Sequence, residues 1–250
     1  MRTFEKQAAQ GDMLILRVDE IPENIEVLAP EGGRLIVAHS ETGHHHYLEE
    51  RLGLRAYRAD PMTLYLDAPT PADLHTVLAW RKTCPESLRT PREITPLEQE
   101  QFYRDVVANR DSRHRYYAVR KPCDEGVCQG EFVALVSLEH ISWENGSAEI
   151  GLLVDPARQG QGIGMQAVDL VLAQAFNQLR LATVFGEAYQ TGTHVQFWQK
   201  VIARHRGTAV DWPRRKFWHG TLYDATLFTI TEPDWRSAGR YREYQEKKHV

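Results

Sequence analysis

Hydrophobic residues recur with two different spacings along this chain, and the change of spacing divides it into segments. Up to about residue 70, short apolar runs such as MLILRV, RLIVAHS and MTLYLDA alternate with turns rich in proline and glycine, which predicts a small β-rich module. From about Pro71 the apolar spacing becomes three and four, as at Leu74 and Val77, which predicts a helix. A second helix is predicted in TPLEQEQFYRDVVANR, where Thr95 and Glu98 have the spacing of a capping box.

Strands dominate the middle of the chain and then give way to a helix. The runs YYAVR, FVALVSLEHI and SAEIGLLV predict an antiparallel meander of three strands. The next segment has an apolar stripe that includes Val168 and Leu172 and predicts an amphipathic helix. The strand ATVFGEAY, a shorter helix around THVQFWQKVIARH and the strand-like KFWHGTLYDATLFTI follow, and the polar end predicts an extended or frayed tail. We divide the chain into a β-rich N-terminal module (1–72), a mixed α/β domain (73–232) and a polar C-terminal tail (233–250).

Composition narrows the class of protein. The chain has 250 residues, of which 42% are hydrophobic, so it has the material for a full core. Its net charge of −4 argues against a surface built to hold nucleic acid or anionic lipid. No apolar run approaches the roughly 18 to 20 residues of a membrane-spanning helix, and the first residues lack the apolar stretch of a signal peptide. We therefore expect a cytoplasmic protein without a membrane partner.

Cysteine and histidine residues were considered as metal ligands or disulfide partners. The three cysteines are too few and too irregularly spaced for a disulfide framework, and Cys123 and Cys128 are better explained as free thiols in a polar turn than as a pair or a metal site. His39 and the run of three histidines from His44 to His46 have an unusual density. Because successive strand residues point to opposite faces, only the first and third of that run converge. We favour a polar turn or a pocket wall there and predict no metal site.

The stretch DPARQGQGIG follows the strand that ends at Val154 and precedes the amphipathic helix. Such a turn, built on Gly160, Gly162 and Gly164, places free backbone N–H groups at the positive end of a helix, where a phosphate is the usual guest. Glycine is required because side chains would block a diphosphate and because turn positions can need a positive φ. The dinucleotide-binding pattern does not fit, since Met165 stands where glycine or alanine is needed, and the P-loop pattern lacks its Gly-Lys-Ser/Thr.

The run from Gln159 to Gly164 resembles the Q/R-x-x-G-x-G/A motif of the GCN5-related N-acetyltransferases (GNAT). The AEIGLLVDP strand before it, the amphipathic helix after it, and the following strand and short helix with FWQK are also similar to that family. The likeness covers residues 76–230 and is nearest to the subgroup of ribosomal-protein N-terminal and antibiotic acetyltransferases. It implies an α/β (α+β) GNAT fold: a mixed, mostly antiparallel sheet flanked by helices, in which the strands around the glycine turn diverge. The alternative is a glycine-rich turn that only allows the helix to pack against the strand.

The resemblance also implies how acetyl-CoA, the acyl donor, is held. Its pantetheine arm would pair with the backbone of Leu152, Leu153 and Val154. Its diphosphate would rest on the amides of the glycine turn, which are those of Gln159, Gly160, Gln161, Gly162, Ile163 and Gly164.

Acetyl transfer to an amine needs a proton acceptor for the amine and a proton donor for the leaving thiolate. Glu149 stands in an otherwise apolar strand, where burial would raise its pKa and suit it to accept a proton, and the family often uses a glutamate near this strand. A structural carboxylate is the alternative. Glu187 and Tyr189 point the same way on the following strand and are further catalytic candidates. Glu139 would line the amine pocket, although an ordinary exposed strand residue is favoured.

The sequence departs from the family in the last helix. Many members place a tyrosine there as proton donor to the CoA thiolate, but the matching residue is Trp198, whose indole cannot supply that proton. Tyr189 or Tyr223 would substitute, or water would carry the proton. The usual asparagine ahead of that helix is replaced by QTGT. The basic stretch WPRRKFWHG, residues 212–220, would suit an acidic substrate or nucleic acid, but a solvated loop leading into a strand is favoured.

We therefore predict an acetyl-CoA-dependent N-acetyltransferase that acts on a primary amine of a small molecule or of a peptide or protein N-terminus. One rival is a non-catalytic acyl-CoA-binding or interaction protein. Another is acetylation of an amine on a nucleotide or nucleic acid, suggested by the basic stretch and by a front module whose GDxL start, TGHxH stretch and REYQ near Tyr244 resemble small phage-type β proteins. Nucleic acid is not favoured as a partner, and a homodimer is left open.

Overall fold

The computed structural model describes residues 64–122, 130–192 and 194–238, together with the backbone of six short strands nearer the start of the chain. The chain divides after Met62 into two compact units. The strands of the first unit pair in three antiparallel two-stranded sheets: β1 (Gln7–Gln10) with β2 (Met13–Leu16), β3 (Ile25–Leu28) with β6 (Ala56–Ala59), and β4 (Arg34–Ala38) with β5 (His46–Glu49). The β-rich character predicted for this part of the chain is confirmed.

Several residues singled out for metal or disulfide chemistry lie outside the described residues, namely His39, His44, His45, Cys123 and Cys128. His46 is described only by its backbone, at the start of β5. The predictions made for these residues stay predictions. Cys84, in the second unit, is a half-buried free thiol.

The second unit is built on one seven-stranded sheet. Its strands are β7 (Tyr65–Asp67), β8 (Arg115–Lys121), β9 (Glu131–Ser142), β10 (Ser147–Val154), β11 (Thr183–Tyr189), β12 (Thr208–Trp218) and β13 (Thr221–Thr231). They lie in the order β12-β13-β11-β10-β9-β8-β7, and all neighbours are antiparallel except β10 and β11, which are parallel. This is the mixed, mostly antiparallel sheet that was predicted, and β8 to β10 form the predicted meander.

Five α-helices accompany the sheet in the described part of the chain: α1 (Pro71–Arg81), α2 (Pro96–Phe102), α3 (Ile163–Ala173), α4 (His194–Arg204) and α5 (Glu232–Ser237). Thr95 and Glu98 form the predicted capping box at the start of α2. Single π-helical turns prolong α2 over Tyr103–Val107 and α3 over Gln174–Gln178. Residues 82–95, called the α1–α2 loop below, join the first two helices. None of the described helices is long and apolar enough to cross a membrane.

The two faces of the sheet are covered differently. On one face, Leu74, Val77 and Trp80 of α1 pack with Leu135 of β9, and Leu153 of β10 lies against the same cluster. On the other face, Trp198 of α4 packs on Phe228 of β13, with ring centroids 5.1 Å apart. Because side chains alternate along a strand, the odd-numbered residues of β10 and β11 face the α1 side and the even-numbered ones face the α4 side.

The end of the described chain differs from its prediction. An extended or frayed tail was expected from Glu232 onward, but Glu232–Ser237 form α5. The Thr231 hydroxyl accepts from the backbone N–H of Asp234, and Trp235 is buried, so a cap and one anchoring ring stabilise this short helix. The proposed limits of 1–72, 73–232 and 233–250 stay predictions.

Candidate active site

The two parallel strands of the sheet separate after a short paired stretch. The last pair between β10 and β11 joins Glu149 to Phe185. Beyond it, β11 continues along β13 to Tyr189, whereas β10 continues along β9 to Val154. Their facing edges leave a V-shaped gap, called the β10–β11 opening below, with Glu149 at its vertex. The two strands therefore diverge as the family resemblance implied.

The glycine turn lies between the end of β10 and the start of α3. Gly160 and Gly162 have φ values of +79° and +80°, a conformation that residues with a Cβ rarely adopt. Apart from each glycine and its two chain neighbours, no heavy atom of residues 64–122, 130–192 or 194–238 lies within 4 Å of the place where a Cβ would stand. Since α3 begins at Ile163, the first amide N–H groups of the helix lie beside this open space. An open turn at the N-terminus of a helix is a kind of place at which phosphate groups commonly bind, and diphosphate binding here stays a prediction.

The backbone of β10 beyond Glu149 has one paired edge and one open edge. Asp155 N–H donates to Val133 O of β9 at 3.0 Å. Because hydrogen-bonded and non-hydrogen-bonded pairs alternate between antiparallel strands, the backbone groups of Leu153 face β9, and those of Leu152 and Val154 face the β10–β11 opening. The sequence prediction treated these three residues alike, but only two of them present backbone groups to the opening.

Glu149 is buried, and its partner is an arginine from a distant part of the chain. Arg89 lies in the α1–α2 loop, where its Nη1 donates to Glu149 Oε2 at 2.8 Å and its Nη2 donates to Glu149 Oε1. These hydrogen bonds raise the pKa of the Arg89 guanidinium. The sequence predicted a glutamate surrounded by apolar residues. The structure instead gives Glu149 a bidentate cationic partner, because the α1–α2 loop folds back over the sheet.

The strand β11 adds a second carboxylate and a tyrosine on the same face. Tyr189 donates to Glu187 Oε2 at 3.1 Å and accepts from Arg89 Nε at 3.3 Å. Arg215 of β12 holds Glu187, with Nη2 and Nε at 2.9 and 3.2 Å from its two oxygens. Burial alone would raise the pKa of Glu187, but the hydrogen bond from Arg215 and the charge of Arg89 lower it overall. Burial raises the pKa of Tyr189, so its hydroxyl keeps its proton at neutral pH.

A buried lysine joins this network to the α1–α2 loop. Lys216 of β12 donates to the backbone carbonyls of Leu88 and Arg89, the latter at 3.1 Å. Its Nζ also lies 5.0 Å from the centre of the Tyr189 ring. Burial and the charge of Arg89 lower the pKa of Lys216. A further hydrogen bond, from the Thr191 hydroxyl to Glu86 O at 2.6 Å, fixes the same loop. The position of Arg89 is therefore set by its backbone as well as by its side chain.

Three of the four predicted catalytic residues lie together in this network: Glu149, Glu187 and Tyr189. The fourth, Tyr223, lies on β13 opposite Lys216, where it is half-buried and its hydroxyl makes no hydrogen bond to the described residues. Trp198, which replaces the family's tyrosine, packs its ring against Phe197 and Phe228. Its indole serves the packing of α4 on the sheet.

Glu139 is not the ordinary exposed strand residue that the sequence favoured. It is half-buried on β9, directly opposite Glu149, and its Oε1 accepts from the Ser137 hydroxyl at 2.8 Å. Burial raises the pKa of Tyr116, and the charge of Glu139 and a hydrogen bond to it raise that pKa further. Glu139 therefore belongs to a polar group that borders the vertex on its β9 side.

None of the cations at the vertex was among the predicted catalytic or cofactor-binding residues. Arg89 lies in a loop without any recognisable pattern, so no sequence signal connects it with Glu149. The prediction that the basic stretch 212–220 is a solvated loop is wrong, because it forms most of β12. Some of its cations face solvent and others contact residues of the site. Lys216 is buried, Arg215 pairs with Glu187, and Arg214 is exposed.

Comparisons with known proteins agree with this geometry. Residues 63–196 match the family model "Acetyltransferase (GNAT) domain", and residues 9–77 match a domain of unknown function, DUF8820. No match was found among the curated proteins. The prediction of a ribosomal-protein or antibiotic acetyltransferase subgroup and the phage-type likeness of the front module stay predictions.

Solved structures of the same fold include spermidine N-acetyltransferases. One is the Vibrio cholerae enzyme in complex with CoA and spermine, at 19% identity and a TM-score of 0.58, which covers 69% of this chain and 97% of its own. Another is a chimera of the Vibrio cholerae enzyme SpeG and hSSAT, at 20% identity and a TM-score of 0.57, which covers 70% of this chain and 98% of its own. These likenesses show the fold. Because the GNAT model matches more than half of the chain, the protein belongs to the GNAT acetyltransferases, which are acyltransferases that use acetyl-CoA as donor.

Proposed function

We propose that the protein acetylates a primary amine of a small molecule or of a peptide N-terminus, with the amine entering at the vertex of the β10–β11 opening. The observation that carries this proposal is the end of the β10–β11 pairing at Glu149. There, an open strand edge leads from the glycine turn to a cluster of proton-transferring side chains. The amine would approach on the face that carries Glu149, Glu187 and Tyr189, and the donor would lie along the opening.

The chain has a place for each part of the donor. The open turn at Gly160 and Gly162 and the first amides of α3 would hold the diphosphate. The free backbone groups of Leu152 and Val154 would pair with the pantetheine amides. When bound, acetyl-CoA supplies the thioester at which the amine nitrogen forms its new bond to the acetyl carbon as the carbon–sulfur bond breaks, with one proton leaving the nitrogen and one reaching the thiolate.

Glu149 is proposed to accept the proton from the amine. It stands at the vertex, and Arg89 holds both of its oxygens, so the carboxylate has one fixed orientation. Each oxygen keeps a second lone-pair direction through which it can take a proton, directly or through one water. Arg89 is the positioning residue in this scheme, because it reaches the reacting atoms only through Glu149 and Tyr189.

Tyr189 is proposed to protonate the thiolate, in the role left open by Trp198. Its hydroxyl is protonated at neutral pH because burial raises its pKa, and it lies on the same face as Glu149. Glu187 and Arg89 hold the hydroxyl oxygen in place by hydrogen bonds at 3.1 and 3.3 Å, and its one proton, which is donated to Glu187 in the described structure, would turn to the sulfur. Tyr223 is the weaker candidate, since nothing comparable orients it in the described structure.

A screen of amines for acetyl-CoA-dependent thiol release tests the proposal. The panel holds amino acids, short peptides, amino sugars, nucleotide amines and polyamines; spermidine is included because it is the acceptor named for the structural neighbours. At least one primary amine should release CoA thiol above the hydrolysis rate and give a product heavier by one acetyl group. Release that stays at the hydrolysis rate with every amine, although acetyl-CoA binds, would count against the proposal.

A further inference from the structure

The positive and negative side chains at the vertex differ in number and in the partners that they contact. Two carboxylates, Glu149 and Glu187, and three cations, Arg89, Arg215 and Lys216, lie together there. The two carboxylates are balanced by the two arginines. The lysine is bonded only to neutral backbone carbonyls, so these five groups together carry one positive charge. Glu139 adds a carboxylate on the β9 side of the vertex, opposite Glu149, so the excess of positive charge lies on the β12 side.

The Glu149 and Glu187 carboxylates already accept hydrogen bonds from arginine side chains. Glu149 accepts from two nitrogens of Arg89. Glu187 accepts from two nitrogens of Arg215 and from the Tyr189 hydroxyl, and Arg89 Nη2 lies 3.7 Å from its Oε1. A second ammonium group on the acceptor, as in a polyamine, needs a carboxylate of its own. At Glu149 or Glu187 it would have to displace a bidentate arginine, and the remaining carboxylate is Glu139, on the β9 side of the vertex.

The arginines, in contrast, keep binding capacity that faces solvent. The side chains of Arg89 and Arg215 are 43% and 36% exposed, and the Nη1 of Arg215 makes no hydrogen bond within the described ranges. The Arg215 guanidinium lies 4.4 Å from the centre of the Trp212 ring, which stacks on it and limits its movement. Such a fixed guanidinium with free N–H groups suits a carboxylate or a phosphate.

We propose that the acceptor is a primary amine that carries a carboxylate or phosphate close to its nitrogen, and that Arg215 binds this anion with help from Arg89. This inference rests on the proposed function and adds the substrate class. The amine nitrogen would lie at Glu149, and the anion would lie on the solvent side of the two guanidinium groups. The same arrangement disfavours polyamines, in which every charge is positive.

Pairs of matched acceptors separate the effect of the anion on the rate from the effect of the amine. The probes are 2-aminoethyl phosphate against ethanolamine, alanine against alanine amide, and spermidine as the polycation, each assayed by acetyl-CoA-dependent thiol release. The anionic member of at least one pair should have a kcat/KM roughly tenfold or more above its uncharged partner and above spermidine, the size expected of one charge-assisted contact. The preference should shrink at high salt, since salt screens the attraction.

Two neighbouring arginines provide the variant and its control. Arg215→Gln should remove most of the preference for the anion and should raise the relative rate with spermidine, because Glu187 then lacks its bidentate partner. Arg215→Lys should keep part of the preference. Arg214→Gln changes the adjacent, exposed arginine and should leave the order of the probes unchanged. A variant that merely misfolds would lower all rates together and would not reverse the order.

The outcomes distinguish this inference from the function on which it rests. If acetyl-CoA neither binds nor releases thiol with any amine, the proposed function fails. If acetyl-CoA binds and the uncharged amines or spermidine are equal or better acceptors than the anionic ones, or if none of the five probes is accepted, the anion requirement is wrong and the donor assignment stands.

Discussion

Arg89 Nη1 lies 2.8 Å from Glu149 Oε2, although the two residues are 60 positions apart in the sequence. The pair joins the α1–α2 loop to the point where the parallel strands separate. It sets the orientation of the buried Glu149 carboxylate, because a carboxylate held by two guanidinium nitrogens has a fixed direction toward the β10–β11 opening. The loop thereby contributes a side chain to the candidate active site, and its position depends on Lys216 and Thr191 as well as on Arg89.

Glu149→Gln tests the proposed proton acceptor. The amide keeps the size of the side chain but cannot take up a proton, so kcat with a competent amine should fall by roughly 10² to 10⁴. The increase in melting temperature caused by acetyl-CoA should persist, and higher pH should partly restore the rate because more amine arrives deprotonated. Glu139→Gln, on the adjacent strand and bonded to Ser137 rather than to Arg89, is the comparison and should stay near the parent. Near-normal turnover of Glu149→Gln across the pH range would make Glu149 structural and Glu187 the next candidate.

Tyr189→Phe and Tyr223→Phe separate the two candidates for protonating the thiolate. Tyr189→Phe removes a hydroxyl that Arg89 and Glu187 orient, so kcat should fall by roughly 10² or more while acetyl-CoA affinity stays unchanged. Tyr223→Phe should resemble the parent, because its hydroxyl has no partner in the described structure. The measurements are kcat with one amine and the dissociation constant of acetyl-CoA. If both variants turn over like the parent, water carries that proton and the tyrosine assignment is wrong.

The backbone of this site was predictable from the sequence, and its electrostatics were not. Local patterns were sufficient for the strand, the glycine turn at Gly160 and Gly162, and the helix after them, because each pattern reflects the conformation of the residues that carry it. Strand alternation also placed Glu187 and Tyr189 on one face correctly, and the register of β10 with β11 adds Glu149 to that face. The partner of Glu149 comes from a loop without periodicity, and only the folded chain brings Arg89 to it. Likewise, β12 carries mostly exposed residues, so its pattern resembles that of a loop.

Gly162→Asp tests the glycine turn against a glycine of the same geometry. Gly162 and Gly220, in the turn between β12 and β13, both have φ of +80°, and apart from the chain neighbours no described heavy atom lies within 4 Å of a Cβ at either place. Aspartate at each should therefore cost a similar amount of backbone strain, roughly 1–2 kcal/mol. Only Gly162→Asp places negative charge against the diphosphate, so only it should abolish the thermal stabilisation by acetyl-CoA. An equal loss in both variants, or in neither, contradicts the assignment of this turn.

Substitution of Arg120 tests how much a buried ion pair stabilises the second unit. Its side chain is 4% exposed and donates to Asp67 at 2.9 Å and to Asp73 at 2.6 Å, and Asp73 is also the partner of Thr70 in the capping box of α1. Arg120→Met leaves two carboxylates near each other without their cation and should lower the free energy of unfolding by about 3–5 kcal/mol. Arg113→Met removes the exposed pair with Glu144 and should cost less than about 1 kcal/mol. Urea unfolding followed by tryptophan fluorescence measures both, and similar losses in the two variants would contradict the distinction.

The contacts of Asp169 predict how the free energy of unfolding depends on pH. It lies on α3, accepts from Arg204 Nη2 at 2.7 Å and stands 3.0 Å from His205 Nε2, so it joins α3 to the end of α4. Burial alone would raise its pKa, but the nearby His205 and the hydrogen bonds and charge of Arg204 outweigh burial and lower it. A carboxyl whose pKa is lowered by folding stabilises the protein above the ordinary aspartate value of about 3.9 and loses that contribution as the pH falls through the folded value.

The unfolding free energy should therefore decline less steeply with acid in Asp169→Asn than in the parent, from a lower plateau at neutral pH. Asp211→Asn, at an exposed position of β12 without such partners, should keep the slope of the parent. Urea unfolding at a series of pH values from about 7 to about 2 measures these slopes. Because α3 begins at the glycine turn, the same Asp169→Asn protein should also bind acetyl-CoA less well if the α3–α4 contact supports the turn. An Asp169→Asn slope equal to that of the parent would mean that Asp169 has no lowered pKa in the folded protein.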